Sequence, residues 1–334
     1  MRCAYLAFTE KGLALARRLA KTLPGSVSRC GAGEGRVSLA DWTAAQFARS
    51  EALIFVGAAG IAVRAIAPHC RSKAADPAVV VLDECGRFAI PLLSGHLGGA
   101  NALAAQLAAA CGAVPVITTA TDANGRFAVD SWAKANGCAV LEPERIKHVS
   151  GALLAGESVY YASDFDITGT PPRGVGMAGE GQTPDFVLTL APGKAAPAAL
   201  HLVPKIAVLG VGCKRGTSAA QLEAAFAAFC ACYGLAPAGI TAAASIDLKQ
   251  NEPGLAAFCA AHGWPVTFYT AEQLRGTPGD FTPSAFVARV TGVDNVCERA
   301  AVRAAGGPLV CPKFAGGGVT LALAARPFAP DWRK

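Results

Sequence analysis

Charged residues are scarce in this chain. Of its 334 residues only 16% are charged, while 52% are hydrophobic. So much apolar material with so little charge excludes a disordered chain and provides for substantial cores. The net charge of +6 comes from 30 basic and 24 acidic residues. Because the basic residues form no run, the composition indicates no nucleic-acid partner, and the mild excess is compatible with an acidic small molecule.

Long hydrophobic runs and paired cysteines are also missing. No apolar stretch reaches the roughly 20 residues of a membrane span, and no secretory leader opens the chain. The twelve cysteines are scattered, without a CxxC pair. In a chain of this length such cysteines are typical of reduced thiols. We therefore expect a cytoplasmic protein without disulfides and without a membrane partner.

Several catalytic fingerprints are absent as well. The loop Gly210–Thr217 lacks the GxxxxGK[ST] order of a phosphate-binding loop, the loop Ser94–Asn101 is not a GxGxxG dinucleotide motif, and the sequence contains no GxSxG nucleophile turn. Its cysteines and histidines show no zinc spacing, so we predict no metal site.

The order of predicted elements favours an α/β fold. Ala52–Val56 and Ala78–Leu82 are continuous apolar runs, typical of buried parallel strands, and Arg87–Leu93 is predicted to pair with the second as a hairpin. Ala100–Cys111 is predicted to be a helix. We expect an open amino-terminal α/β domain, a small middle α/β segment and a separate carboxy-terminal α/β domain. The boundaries are 1–135, 136–203 and 204–334, with a proline-rich linker around Pro192–Pro204.

The first candidate site is the loop Ser94-Gly-His-Leu-Gly-Gly-Ala-Asn101, between a predicted strand and a helix. Its glycines, Gly95, Gly98 and Gly99, let the backbone approach a ligand, and the helix start offers unpaired N–H groups to an anion. His96 has an ordinary pKa near neutrality and is the candidate acid or base. A tight turn with a helix cap explains the glycines equally well.

The second candidate is Gly210-Val-Gly-Cys-Lys-Arg-Gly-Thr217. We predict a loop in which Lys214 and Arg215 supply charge and donors to an anion, with Gly212, Gly216 and Thr217 shaping it. A solvated charged turn is the alternative.

Polar residues also follow predicted strands, where open α/β sheets bind their ligands. These candidates are Thr119, Asp122, Asp247, Lys249 and Glu252, with Arg64 and Arg87 as cations near such loops. Asp83 and Glu84 could form an acid/base pair, although a hairpin turn explains them at least as well.

Several of these motifs together closely resemble the CbiG family of cobalamin biosynthesis. They are Asp76-Pro-Ala-Val-Val-Val-Leu-Asp83, Gly86–Asn101 with its Ser-Gly-His-Leu-Gly-Gly-Ala-Asn ending, Pro115-Val-Ile-Thr-Thr-Ala-Thr-Asp122 and Gly57–Arg64. Gly210–Thr217, Ser245–Glu252, Gly292-Val-Asp-Asn-Val-Cys-Glu298 and Lys313–Thr320 resemble motifs of the family's carboxy-terminal module. The middle, 136–203, matches loosely.

The resemblance implies a cobalt-precorrin-5A hydrolase, which opens the δ-lactone of a cobalt tetrapyrrole and releases a two-carbon fragment as acetaldehyde. Cobalt then arrives with the substrate, and no resident cofactor is expected. For such chemistry we hypothesise His96 as base, Ser94 with the N–H groups of Gly98 and Gly99 as oxyanion donors, and Asp122 as the partner of the histidine. Lys214, Arg215 and Arg64 would bind substrate carboxylates.

The alternative is a corrinoid-binding or handover protein without turnover, since the carboxy-terminal module resembles a stand-alone protein of the aerobic pathway. Other enzymes of cobalamin biosynthesis are candidate partners. The oligomeric state stays open, with a dimer as one option.

Overall fold

A computed structural model of the chain describes residues 1–72 and 75–334. It confirms the mixed α/β class, with three sheets in two compact units. The first unit is Met1–Lys134 with Ile146–Glu157, and the second is Ala135–Arg145 with Ser158–Lys334. Within the described ranges, no helix has both the length and the apolar character to cross a membrane.

The first unit is built on a six-stranded sheet in the order β2-β1-β3-β4-β5-β6. Its strands are β1 Cys3–Ala7, β2 Gly25–Arg29, β3 Ala52–Val56, β4 Ala78–Leu82, β5 Phe88–Leu93 and β6 Val114–Pro115. The helices in this part of the chain are α1 Glu10–Thr22, α2 Leu39–Arg49, α3 Ala59–Ile66, α4 Ala100–Cys111, α5 Ala120–Ala123, α6 Val129–Ala135 and α7 Ile146–Ala155. The first four strands in the sheet order are parallel, whereas β5 is antiparallel to β4 and β6 is parallel to β5.

Helices cover both faces of this sheet, which is why β1, β3 and β4 are apolar at every position. One face packs Tyr5 and Ile54 with α1 and α4, and the other packs Leu6 and Phe55 with Trp42 of α2. The predicted strands Ala52–Val56 and Ala78–Leu82, the hairpin to β5 and the helix Ala100–Cys111 are confirmed.

The second unit has two five-stranded sheets, in the orders β7-β11-β10-β8-β9 and β14-β13-β12-β16-β15. The first contains β7 Cys138–Val140, β8 Val159–Ser163, β9 Val175–Met177, β10 Phe186–Leu188 and β11 Leu200–Pro204. The second contains β12 Ala207–Cys213, β13 Ile240–Ile246, β14 Val266–Tyr269, β15 Leu309–Gly316 and β16 Val319–Ala325. The helices are α8 Ala219–Tyr233, α9 Pro253–Ala261, α10 Ala271–Arg275, α11 Ala285–Thr291 and α12 Cys297–Ala305.

Each predicted segment carries one sheet, but the middle and carboxy-terminal sheets share one compact unit. The division at 135 and 203 itself stays a prediction. The linker predicted around Pro192–Pro204 is wrong over its last part, because β11 is a buried strand paired with β10 and β7. Pro204 ends that strand, a position where a missing N–H costs little.

Helix α12 is fixed to the last sheet by a buried carboxylate. Glu298, fully buried, accepts hydrogen bonds from Thr282 N at 2.7 Å, Asn295 Nδ2 at 2.6 Å and Lys313 N at 2.6 Å. Asn295 Oδ1 in turn accepts from Glu298 N at 2.9 Å, two residues before α12 begins at Cys297. The motif Gly292–Glu298 is thus structural.

The loop predicted from Gly210 begins later than expected, because Gly210–Cys213 form the end of β12. A Cβ on Gly210 would lie 1.8 Å from Cys297 O, and one on Gly212 would lie 2.5 Å from Thr320 Oγ1. Both glycines therefore allow close packing, of α12 and of β16, rather than a turn at a ligand.

We expect Gly210→Ala to lower the free energy of unfolding by at least about 2 kcal/mol, because the clash is with backbone of a packed helix. Gly176→Ala in β9 is the matched control, since its Cβ would meet only Tyr160 ring carbons at 3.5 Å. Denaturant unfolding of both variants checks this. An unchanged midpoint for Gly210→Ala would contradict the packing role.

Candidate active site

The candidate site of the first unit lies beyond the carboxyl end of β5. Because β5 runs opposite to β4, it ends level with the start of β4, and the chain that follows β6 continues in the direction of β5. Ser94 at the end of β5 donates its hydroxyl to Asp76 O, just before β4, at 3.0 Å. The loop after β5 and the segment after β6 are thus brought side by side.

The loop Ser94–Gly99 is tightly wound. Ser94 has φ +57°, the one positive φ at a non-glycine residue in the described ranges. A Cβ on Gly98 would lie 2.2 Å from Ser94 Cβ, and one on Gly95 would lie 2.8 Å from Asn101 Oδ1. The glycines of this loop are therefore required by the fold of the loop itself. The Ser94 hydroxyl donates its hydrogen to Asp76 O, so the predicted role of Ser94 as an oxyanion donor would require that bond to break.

His96 lies between two carboxylates. Its Nε2 is 2.6 Å from Asp122 Oδ2, and its Nδ1 is 3.1 Å from Asp130 Oδ1. The side chains of His96 and Asp130 are 11% and 9% exposed, whereas that of Asp122 is 38% exposed. One carboxylate of the pair is therefore buried and the other faces solvent.

The two carboxylates determine the charge of the ring. Burial lowers the pKa of His96, but the hydrogen bonds and charges of Asp130 and Asp122 outweigh it and raise the pKa from 6.5 to about 9. At neutral pH both ring nitrogens then carry a proton. A base at neutral pH must have a free lone pair, so the geometry does not favour His96 in that role.

Asn101, in the first turn of α4, ties the two segments together. Its Nδ2 donates to Thr119 Oγ1 at 2.9 Å and to Asp122 Oδ2 at 3.1 Å. Asp122 Oδ2 thus has two donors, Asn101 and His96. The structure therefore brings together four residues predicted from the sequence: His96, Asn101, Thr119 and Asp122.

Asp130 was missed by the sequence analysis. It is the second residue of α6, and Ser131 N donates to its Oδ1 at 3.1 Å. The sequence signal that could have identified it is an acidic residue within the apolar stretch Phe127–Trp132, since a buried acid needs a partner. Lys134, further along the same helix, donates to Gly98 O at 2.5 Å and so also contacts the loop.

Two predicted cations are not part of this cluster. Arg87 precedes β5, whereas the loop follows it, so the length of the strand, about 20 Å, separates them. The chain reverses at Asp83, so Arg87 lies at the start of β5 and the loop with His96 lies at its other end. Arg64 is exposed in the last turn of α3 and makes no bond to His96 or its acidic partners.

Asp83 shapes the hairpin turn. Its carboxylate accepts N–H bonds from Cys85 at 2.9 Å and from Arg87 and Phe88 at 2.8 Å. Burial raises the pKa of Asp83, but these three donors outweigh it and hold the pKa below its ordinary range. Glu84 Oε2 accepts from Thr9 Oγ1 at 2.7 Å. The geometry thus supports the hairpin explanation for both acids.

In the second unit, the segments after β12 and β13 meet at one edge. Glu252 accepts from Gly216 N at 2.8 Å and from Lys249 Nζ at 3.0 Å, and these donors hold its pKa below the ordinary range. Thr217 Oγ1 donates to Lys214 O at 2.8 Å, closing the turn.

The cations of this turn remain available to a ligand. Lys214 and Arg215 are exposed, while Lys214 N donates to Gly318 O in the hairpin between β15 and β16 at 3.1 Å. Asp247 is exposed at the end of β13. This second cluster can bind an anion through its side chains, on a backbone fixed by Glu252.

All twelve cysteines are free thiols, five of them buried.

Two family models match the chain, Cobalamin synthesis G N-terminal over residues 41–122 and Cobalamin synthesis G C-terminus over residues 207–324. The chain is 35% identical to the cobalt-precorrin-5A hydrolase of Salmonella typhimurium, and the match covers 96% of each chain. The chain belongs to the CbiG family. A CbiG relative from Priestia megaterium, also named cobalt-precorrin-5A hydrolase, is 30% identical, with 84% of this chain and 80% of the relative covered.

Two solved structures are similar to this CbiG chain. A cobalamin biosynthesis protein G homologue from Sulfolobus solfataricus is 21% identical, with 98% of this chain and 97% of that chain covered, at a TM-score of 0.42. CobE, a protein of the cobalamin pathway, is 34% identical over 38% of this chain and 94% of its own, at a TM-score of 0.35. The amino-terminal family match includes His96 and ends at Asp122, so Asp130 lies outside it.

We expect Glu252→Gln to accelerate hydrogen exchange at Gly216 N at least about tenfold, because a charge-assisted hydrogen bond is weakened. Glu223→Gln, which removes the charge from an exposed acid bonded to His262 at 2.8 Å, is the matched control. Exchange measured by mass spectrometry tests this. Equal rates in both variants would show that Glu252 does not order the turn.

The pKa of His96 also predicts how stability depends on pH. Since the folded pKa of about 9 exceeds the ordinary 6.5, the protonated ring stabilises the fold fully below pH 6.5, and this contribution is lost as pH rises through 9. Wild type should therefore lose more unfolding free energy between these limits than His96→Gln does. Denaturant titrations at several pH values test this, and parallel curves would refute it.

Proposed function

We propose that the chain is a cobalt-precorrin-5A hydrolase whose catalytic centre is the cluster around Asp122 and His96. The observation that carries the proposal is a solvent-facing carboxylate 2.6 Å from a histidine ring that is only 11% exposed, in a chain 35% identical to such a hydrolase over 96% of its length. The substrate is a cobalt tetrapyrrole, and cobalt enters with it, so no resident cofactor is proposed.

The reaction begins with hydrolysis of the δ-lactone. The oxygen of a water bonds to the lactone carbonyl carbon while a base takes one water proton. Collapse of the tetrahedral intermediate breaks the ring C–O bond, and the departing oxygen takes a proton to become a hydroxyl. Deprotonation of that hydroxyl then lets the adjacent carbon–carbon bond break. The electron pair passes to the conjugated macrocycle, which takes up a proton, and acetaldehyde leaves.

Asp122 is the base in this proposal. Its Oδ2 is bonded to His96 and Asn101, whereas Oδ1 forms no hydrogen bond to the residues that the structure describes and can accept one from a water. His96, for which the sequence analysis hypothesised a base role, is instead the proton source for the departing oxygen. Its ring carries two protons at neutral pH, so it can donate one. The N–H groups of Gly98 and Gly99 stay the proposed oxyanion donors.

The carboxylates of the tetrapyrrole would be bound by cations. We assign this role to Lys214 and Arg215, which are exposed on the turn fixed by Glu252, and to Arg64. Gly212, Asp247 and Arg87 stay predictions as substrate contacts. A cytoplasmic location is in keeping with twelve free cysteines. Contacts with other enzymes of the pathway and the oligomeric state stay predictions.

The test is anaerobic turnover of purified cobalt-precorrin-5A with acetaldehyde as the readout. Wild type should release one acetaldehyde per substrate, and Asp122→Asn should lower kcat by about 10²–10⁴ because general-base catalysis is lost. Glu223→Gln is the control and should keep full activity. Tight binding by wild type without acetaldehyde release would instead favour the corrinoid-handover alternative.

A further inference from the structure

The buried side of His96 is occupied by a carboxylate that the proposed reaction does not use. The side chain of Asp130 is 9% exposed, and its Oδ1 lies 3.1 Å from His96 Nδ1 and 3.1 Å from Ser131 N. The backbone donor fixes this oxygen at the start of α6. A carboxylate held in place away from solvent must be matched by a donor, since an unpaired buried charge is strongly unfavourable.

The contacts at the two ring nitrogens define the protonation state. An ionised carboxylate only accepts hydrogen bonds, so Nδ1 must carry a proton toward Asp130 and Nε2 must carry one toward Asp122. A neutral ring would turn a lone pair toward one of these oxygens. On the Asp122 side water can relieve that repulsion, because Asp122 is 38% exposed. On the Asp130 side little water can enter.

We propose that Asp130 is a positioning residue that keeps His96 doubly protonated and directs its Nε2–H to Asp122, so that proton acceptance falls to Asp122. The inference rests on the proposed function and deepens it, because it explains how a histidine and an aspartate 2.6 Å apart divide the acid and base roles. Asp130 itself has no part in binding the reacting atoms.

The other groups around the ring are few in the described structure. Asp122 and Asp130 are the charged groups that shift the pKa of His96, and burial opposes them. Lys134, on the same helix as Asp130, bonds to Gly98 O, and Asn101 bonds to Asp122. Neutralising Asp130 therefore changes the charge at Nδ1 while these neighbours stay in place.

The experiment compares wild type, Asp130→Asn and the control Glu223→Gln, each as the full chain labelled with ¹⁵N-histidine. The asparagine keeps the shape and a carbonyl acceptor but loses the charge. We expect the NMR titration of His96 to fall by about one to three pH units in Asp130→Asn, the usual effect of one close opposite charge. Glu223→Gln, which neutralises an acid bonded to His262 rather than to His96, should leave the His96 titration as it is in wild type.

The pH profile of acetaldehyde release gives the functional readout. The alkaline limb of kcat should move to lower pH by the same amount as the His96 titration, while KM changes less than about twofold. Activity lost equally at every pH, or an alkaline limb that stays in place while His96 shifts, would overturn the proposal. So would an unchanged His96 titration.

Two further arms keep the test decisive. If Asp130→Asn does not fold, Asp130→Glu is measured instead. Because it keeps the negative charge, His96 should titrate at a pH as high as in wild type. A ring that is neutral at pH 7 in wild type overturns the inference outright. If wild type releases no acetaldehyde, the proposed reaction fails. The NMR titrations then still decide whether Asp130 holds the proton on His96.

Discussion

Three backbone N–H groups bonded to the carboxylate of Asp83 reverse the chain between β4 and β5. Everything in the candidate site depends on this reversal. Since β5 runs against β4, it ends level with the start of β4, and the segment after β6 continues in the direction of β5 until it meets the loop that follows β5. The site therefore forms beyond the carboxyl end of β5, as in other α/β sheets, but at the opposite end of the sheet from the carboxyl ends of β1, β3 and β4.

Buried carboxylates serve a common purpose in both units. Asp130 places a histidine, Glu252 orders the turn at Gly216, and Glu298 anchors helix α12. In each case backbone N–H groups supply at least one of the donors, which makes the acid part of the chain's own architecture. With only 16% charged residues in the chain, few acids are available, and several of them hold the backbone.

Much of the fold could be predicted from the sequence because buried parallel strands are apolar at every position. Ala52–Val56, Ala78–Leu82 and Ala100–Cys111 were located to the residue. The failures have physical causes. Gly210 reads as a loop residue, yet its missing side chain makes room for Cys297 O, a contact distant in sequence. The prolines around β11 indicated a linker, whereas the segment is a buried strand that pairs with β10 and β7.

The candidate site was partly predictable for the same reason. His96, Asn101 and Asp122 follow predicted strands and have polar or ionisable side chains. The tendency of α/β sheets to bind ligands beyond the carboxyl ends of their strands is therefore enough to select them. Asp130 lies in the first turn of a helix, and its role exists only because the chain returns to His96 34 residues later, which no local pattern reveals. The protonation of His96 likewise depends on two partners at once, so the residue type alone suggested the wrong role.

The anchoring of α12 has a consequence for how this part of the chain folds. Glu298 is bonded to Thr282 on one side and to Lys313 on the other, and α12 lies against Gly210, almost ninety residues earlier. Such contacts require large loops to close before they yield any stabilisation. Docking of α12 should thus be a late and cooperative event, and a nascent chain that ends before Lys313 would lack one of the donors to Glu298 and would expose the apolar face of the sheet.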